Sequence, residues 1–311
     1  MSDLGATSTT DDVLAGVDLT GRRIVVTGAS TGLGEEATRS FAAAGASVTM
    51  AVRDRTRGEA AAARIREGVP GADLEIRELE LASLRSVRSF AAGFLADHDR
   101  IAVLVNNAGV MACPYAETVD GFELQFGTNH LGHFLLTTLL EPALIAGAPS
   151  RVVSLSSSGH RLADVDLDDP GFVTTDYEPW LGYGRAKTAN VLFAVELDRR
   201  LRDQGVRAFA VHPGAIMTEL ARHLTDETLG TMLASIPAGQ EMAFKSIPEG
   251  AATTVFAATS PALDGLGGLY LEDCHIAEVT DTDTMGGVRS YAVDPNRAAA
   301  LWALSEELTA G

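Results

Sequence analysis

Tyr183 and Lys187 stand four residues apart in WLGYGRAKTANVLFAVELDRRL, and Lys187 is one of two lysines in the chain, the other being Lys245. Nearly all remaining positive charge is arginine, and a compact ammonium behaves differently from a planar guanidinium. Val191, Leu192, Val195 and Leu201 recur at three- and four-residue steps, which predicts a helix carrying the pair on one face. An ammonium beside a phenol stabilises the phenolate, so the pKa of Tyr183 is expected to fall from its usual value of about 10. Such a phenol is a candidate general acid/base for a substrate oxygen. The spacing is also that of an ordinary surface pair on a helix, so the rest of the chain must decide.

A second chemical element is TGASTGLG, Thr27 to Gly34. Gly28, Gly32 and Gly34 permit a tight turn, close backbone approach and helix packing, with Ser30, Thr31 and Leu33 between them. A helix that starts here offers free N–H groups and a positive dipole end to a pyrophosphate. About 20 residues on, where such sites read the ribose, Val52 is followed by Arg53. Arginine pairs with a 2′-phosphate through charge-assisted bonds, which favours NADP(H). Asp54, one step further, keeps NAD(H) open, because its carboxylate suits a ribose hydroxyl.

These groups need a scaffold. Arg23 to Thr27, Ser47 to Val52, Leu74 to Leu79, Ile101 to Val105, Arg151 to Leu155, Arg207 to Val211 and the stretch near Gly268 to Leu271 read as strands. Glu35 to Ala44, Arg55 to Glu67, Leu84 to Ala96, Phe122 to Ile145, the Tyr183 segment and Ala251 to Ala258 read as helices between them. That alternation predicts an α/β domain with a parallel sheet and helices on both faces, its ligand at the carboxyl ends of the strands. A polar extension over residues 1–20 is expected to precede a single domain over 21–311. Two stretches break the alternation, 158–182 (with Asp164, Asp166, Asp168, Asp169 and Asp176) and 219–248, and long loops of this kind commonly act as lids.

Composition narrows the classes. The 311 residues are 46% hydrophobic and 21% charged, ordinary for a soluble enzyme. A formal charge of −18 argues against nucleic acid or an anionic membrane as partner. Cys113 and Cys274 cannot make a disulfide framework and lack zinc-site spacing. The acidic N-terminus does not read as a secretory signal, and no apolar run reaches the length of a membrane span, so a cytoplasmic location is expected. His130, His133, His160 and His212 lack carboxylate partners at motif spacing and read as structural.

TGASTGLG, NNAG at Asn106 to Gly109, Asn129 in NHLGHF, the serines after the Arg151 strand, Tyr183 with Lys187, and HPG at His212 to Gly214 followed by Thr218 occur in one order. In this the chain resembles the short-chain dehydrogenases/reductases over roughly Gly21 to Leu271, and most closely the retinol-dehydrogenase and protochlorophyllide-reductase-like branch. The resemblance implies a single-domain Rossmann-type doubly wound parallel sheet of about seven strands. It implies a catalytic set in which Asn129 fixes a water in a proton relay. Ser157 holds the substrate oxygen, with Ser156 and Ser158 one step to either side. Tyr183 moves the proton, and Lys187 tunes the tyrosine and binds the nicotinamide ribose. Asn107, Ala108 and Gly109 would shape the cofactor trough, and Pro213, Gly214, Ile216 and Thr218 would lie beside the nicotinamide. Two departures stand out. Glu80-Leu81 replaces the family's usual Asp-Leu pair at adenine, and Ser30 stands where asparagine is common.

The activity so implied is hydride transfer between NADP(H) and a small-molecule alcohol or carbonyl, in the manner of an alcohol dehydrogenase or carbonyl reductase. A dinucleotide-sensing scaffold and an epimerase or dehydratase are the alternatives on the same fold. Met111, Trp180, Met217, Leu220, Met232 and Phe244 are candidates for an apolar pocket, which would suit a hydrophobic substrate. Relatives commonly pair through long central helices, so a homo-oligomer is a further expectation of the resemblance.

Overall fold

The computed structural model describes residues 4–216, 220, 230, 243–284 and 286–310. Met217, Thr218, Met232 and most of the 219–248 stretch therefore lie outside the described residues.

The strands are β1 (Arg23–Thr27), β2 (Ser47–Val52), β3 (Leu74–Glu78), β4 (Val103–Asn106), β5 (Ser150–Leu155), β6 (Val206–His212), β7 (Leu269–Glu272) and β8 (His275–Ile276). They form one sheet in the order β3-β2-β1-β4-β5-β6-β7-β8, parallel except for β8, which turns back antiparallel on β7. The sequence reading of about seven parallel strands is met; the short β8 carries too little pattern to be seen in advance. Register fixes the centre, with Val25 opposite Thr49 of β2 and Leu104 of β4. Ile24, Val25 and Val26 are fully buried because both faces are covered, which is why β1 reads as an unbroken apolar run.

Side chains alternate between two cores. Ile24 and Val26 meet Phe41 of α2 (Gly32–Ala43), Ile65 of α3 (Arg55–Gly68) and Val255 of α8 (Ile247–Thr259). Val25 belongs to the other core, with Phe94 of α4 (Leu84–Asp97), Leu136 of α6 (Gly132–Ala146), Phe193 of α7 (Pro179–Leu201) and Trp302 of α9 (Pro295–Thr309). Burying one such phenylalanine contributes about 2 kcal/mol. The 1–20 stretch is less separate than its polarity suggests. It forms α1 (Thr10–Val13), whose Val13 joins the first core, and Asp11 pairs with Arg39 of α2 at 2.7 Å.

Two differences from the sequence reading matter for the site. The helix expected over Phe122 to Ile145 is interrupted. After α5 (Leu124–Phe126), residues Gly127–Leu131 form a π-helical turn in which Gly132 N–H bonds Gly127 O, and α6 follows. Apolar periodicity cannot distinguish such an insertion, which recurs at functional sites. The 158–182 stretch is also shorter as a loop than expected, because it opens with a 3₁₀ turn at Ser158–Leu162 and α7 begins at Pro179, capped by Glu178. Among the described residues, no helix is long and apolar enough to cross a membrane.

Candidate active site

The sheet order reverses between β1 and β4, so the carboxyl ends of these strands flank a crevice. Gly28 leaves β1 with φ +66° and Gly32 opens α2 with φ +56°, backbone regions that favour glycine. Thr31 is the N-cap but makes no side-chain capping bond, so the first N–H groups of α2 are not closed off by it. Asn107, just after β4, donates its amide to Thr27 O at 2.7 Å. Space is short here. A Cβ on Gly34 would sit 2.3 Å from Gly28 O and 2.5 Å from Asn107 Nδ2, and one on Gly28 would sit 2.9 Å from Ala108 Cα. Glycine backbone and the Asn107 amide line this cradle with no room for a further side chain, as a pyrophosphate lying against it requires, so the residues present fit a dinucleotide. Leu33 and Ile216 meet over Gly250 of α8, where a Cβ would lie 3.0 Å from Leu33 Cδ2 and 2.5 Å from Ile216 Cγ1.

At the ribose end, Arg53 is largely exposed, its Nε 3.8 Å from Glu80. Asp54 is committed elsewhere, as its carboxylate caps α3 by accepting Arg57 N–H at 3.0 Å. Glu80 turns one oxygen to Ala82 N–H at 3.1 Å, while Leu81 is buried and its carbonyl abuts Gly132, where a Cβ would lie 2.5 Å away. Leu81 thus packs against the start of α6.

Across the crevice, Tyr183 and Lys187 rise from α7, both buried. The ammonium lies 5.5 Å from the Tyr183 ring centroid and donates to Leu155 O at 2.9 Å. A Cβ on Gly109 would be 2.9 Å from Asn129 Oδ1 and 3.8 Å from Lys187 Nζ, which brings the NNAG turn, Asn129 and Lys187 together. Ser157 and Ser156, adjacent in sequence, point different ways. Ser156 donates to Lys187 O at 2.8 Å, whereas Ser157 accepts Gly159 N–H at 3.0 Å, and a Cβ on Gly159 would lie 2.7 Å from Tyr183 Cε1 and 3.4 Å from Ser157 Oγ, which places the hydroxyl beside the Tyr183 ring. Ser157 is therefore the serine that faces the tyrosine.

The expected fall in the tyrosine's pKa is overturned. Burial pushes Tyr183 up to about 12, against a smaller opposing effect of the Ser157 hydrogen bond, and burial brings Lys187 down to about 8. Both charges are penalised by the same dry surroundings, which the four-residue spacing could not reveal. At neutral pH Tyr183 is therefore a protonated donor, with Ser157 beside it.

Asn129 is fixed from the opposite wall. Its side chain is spent on Val110, accepting N–H at 2.8 Å and donating to the carbonyl at 2.9 Å, so the amide itself clamps the loop after Gly109. Two histidines distant in sequence brace the serine turn. His160 holds Ser157 O through Nδ1 at 2.7 Å, and His212 Nδ1 accepts Ser158 N–H at 3.2 Å and Gly214 N–H at 3.4 Å. The latter ties the serine turn to the Pro213–Gly214 loop. Gly214, at φ +93°, is overlaid by Lys245, which pairs with Asp273.

Of the apolar candidates, Met111 and Trp180 gather at Tyr183 with Ala112, and Phe244 is exposed. Sequence reasoning missed what holds this wall. Gln125 accepts Ala112 N–H at 2.9 Å and donates to Tyr177 Oη at 2.8 Å, and Tyr177 donates to Cys113 O at 2.8 Å. No motif marks these polar residues; only the buried Gln125 on a helix face hints at them.

A glycine-lined crevice at a sheet switch point, faced by a tyrosine, lysine and serine, defines an α/β protein of the dinucleotide-dependent oxidoreductase class. The chain belongs to the short-chain dehydrogenase family, whose model matches residues 22–229. It is 44% identical over 287 residues to the short-chain dehydrogenase/reductase prx1 of Penicillium roqueforti, covering 90% of this chain and 83% of that one. It is 40% identical over 299 residues to human retinol dehydrogenase 14, covering 92% and 85%. Among solved structures, an uncharacterised protein from Mycobacterium paratuberculosis superposes with TM-score 0.75 at 38% identity, covering 98% of each chain. The NADP complex of Pseudomonas aeruginosa RhlG superposes with TM-score 0.64 at 25% identity, covering 82% of this chain and 95% of that one.

Proposed function

We propose that this protein interconverts an alcohol and a carbonyl compound with NADP(H), Tyr183 moving the proton on oxygen. The observation that carries the reading is the buried Tyr183, with Ser157 beside its ring and flanked by Lys187, across from the Gly28–Gly34 cradle. When bound, the nicotinamide supplies the carbon that gives or takes hydride.

The chain's own residues do the rest. Ser157, its oxygen already accepting Gly159 N–H, turns its hydroxyl proton toward the substrate oxygen and opposes charge developing there. Tyr183, protonated at neutral pH, delivers its proton to that oxygen in reduction and takes it back in oxidation. Lys187 keeps a positive charge beside the phenol, so the phenolate left after transfer is not stranded in a dry site. Gly109, Asn129 and Val110 hold the opposite wall at the ammonium. Trp180 and Met111 give the substrate end an apolar lining, which suits a bulky hydrophobic carbonyl such as the relatives' name retinol dehydrogenase suggests.

NADP(H) is the preferred cofactor in this reading. Arg53 is exposed at the ribose end while Asp54 is occupied as a helix cap, and the RhlG neighbour holds NADP. The test is to titrate the purified protein with NADPH and NADH and to follow turnover of aldehydes and ketones. Tyr183→Phe should lose about 10²–10⁴-fold in turnover while binding the dinucleotide unchanged. Tight dinucleotide binding with no carbonyl turned over would make the protein a sensor and end this reading.

A further inference from the structure

His133 lies one turn beyond Asn129 on α6 and is buried, yet both of its ring nitrogens are engaged by different parts of the site. Nδ1 is 2.9 Å from Asn129 O and Nε2 is 2.8 Å from the Thr27 hydroxyl. Thr27 is the last residue of β1, immediately before the glycine cradle, and its hydroxyl oxygen also receives Asn107 N–H at 2.9 Å and Ala108 N–H at 3.0 Å.

Donor and acceptor roles follow without ambiguity. A carbonyl only accepts, so Nδ1 carries hydrogen. Burial, with Lys187 nearby adding to it, holds the ring's pKa down to about 4, so at neutral pH Nε2 bears a lone pair. The Thr27 hydroxyl must then donate to Nε2, the competing Val105 O being longer at 3.4 Å. One donated and two accepted bonds saturate that hydroxyl. Asn129 has its side chain tied to Val110, which leaves its backbone carbonyl to His133. Both nitrogens of a buried ring need partners; here those partners belong to the two halves of the site, so the ring closes a continuous chain from the NNAG turn, through Thr27, to Asn129.

We propose that His133 is a positioning residue, whose imidazole, as the Nδ1–H tautomer, links the Thr27 hydroxyl at the cofactor end to the Asn129 carbonyl at the proton-transfer end. The link keeps the two halves of the site in register. Its effect on turnover rests on the oxidoreductase reading above, but the tautomer and the link do not.

The experiment has two arms. In the first, ring-¹⁵N-histidine NMR of the full chain, with His133 assigned from the His133→Asn spectrum, is expected to show Nδ1 protonated and Nε2 bare at neutral pH. Thr27→Val should then move the Nε2 resonance as its donor is lost. A protonated Nε2, or an Nε2 signal indifferent to Thr27→Val, overturns the proposal. The wild-type spectrum decides the tautomer whether or not the variants fold.

In the second arm, dinucleotide Kd and kcat are measured for His133→Leu and His133→Asn. The leucine variant should lose roughly 10–100-fold in kcat with Kd changed less than about threefold, since small misplacements act on the chemical step. Asparagine keeps a donor at the Nδ1 position but has no group at the Nε2 position to meet Thr27, so it should recover little of that loss. A parallel loss in kcat and Kd marks His133 as merely structural, and full recovery in the asparagine variant, which lacks the Thr27 end of the link, overturns the proposal. A wild-type protein with the expected tautomer that turns over no carbonyl would defeat the activity and leave the link standing.

Discussion

Lys187 Nζ stands 5.5 Å from the centroid of the Tyr183 ring, and both side chains are buried on one face of α7. Their pKa values are displaced in opposite directions by the same cause. Burial favours the neutral form of each, so the phenol rises to about 12 and the ammonium falls to about 8. The pair is thus poised to give a proton at neutral pH rather than to take one.

A pH profile follows from these values. Below about 8 Lys187 is charged and Tyr183 protonated, so carbonyl reduction should hold a plateau there. Above it Lys187 loses its proton, the phenolate left after transfer loses its neighbour, and reductive kcat/KM should decline. Lys187→Met should abolish that decline along with most of the activity. A reductive rate that climbs through pH 8 to 9 would contradict this assignment.

Cofactor preference turns on Arg53. Its guanidinium is exposed beside Glu80 at 3.8 Å, and Asp54 is held by Arg57 N–H. Arg53→Ala should weaken NADPH binding by about 10–100-fold, the scale of a lost charge-assisted contact, and leave NADH within about threefold. Equal effects on both, read from binding titrations, would place the 2′-phosphate elsewhere.

Gly34 has no room for a side chain. With Gly28 O 2.3 Å and Asn107 Nδ2 2.5 Å from the added carbon, Gly34→Ala must push the cradle apart. It should cost about 1–3 kcal/mol of stability, as overpacking does, and weaken dinucleotide binding far more than that shift in Tm implies. Gly68→Ala, where nothing lies within 4 Å, is the control expected to be neutral or mildly stabilising.

Much of this was legible in the chain, for identifiable reasons. The strands β1 and β5 sit inside a doubly covered sheet, so burial wrote them as apolar runs that end in glycine or serine. The cradle at Gly28 to Gly34 was legible because sterics leave glycine almost alone there. The sign of the Tyr183 shift was not, because desolvation depends on what covers the helix and spacing records only what lies along it. The helix Pro295–Thr309 lies beyond the last family motif, and its only local signals are the Asp294 cap and Pro295 at its first position. The Ser157 orientation needed the turn itself, where Gly159 N–H takes one side of the hydroxyl.

Four histidines, three of them fully buried and His212 partly so, set an acid limit on the fold. Burial holds His133 and His212 down to about 4 and His130 and His160 down to about 3. In the unfolded chain each titrates near 6.5, so between that value and the folded pKa the unfolded state binds more protons. Stability must therefore fall as pH drops from about 6.5 toward 4, by up to about 1.4 kcal/mol per unit for each histidine. His212 adds a structural reason, because a proton on Nδ1 would repel the Ser158 and Gly214 N–H groups it now accepts. Acid unfolding followed by circular dichroism should be steep in this window, and His212→Gln, neutral throughout, should lower its midpoint. A midpoint unmoved by that change would mean the serine turn and the Gly214 loop do not depend on a neutral ring between them.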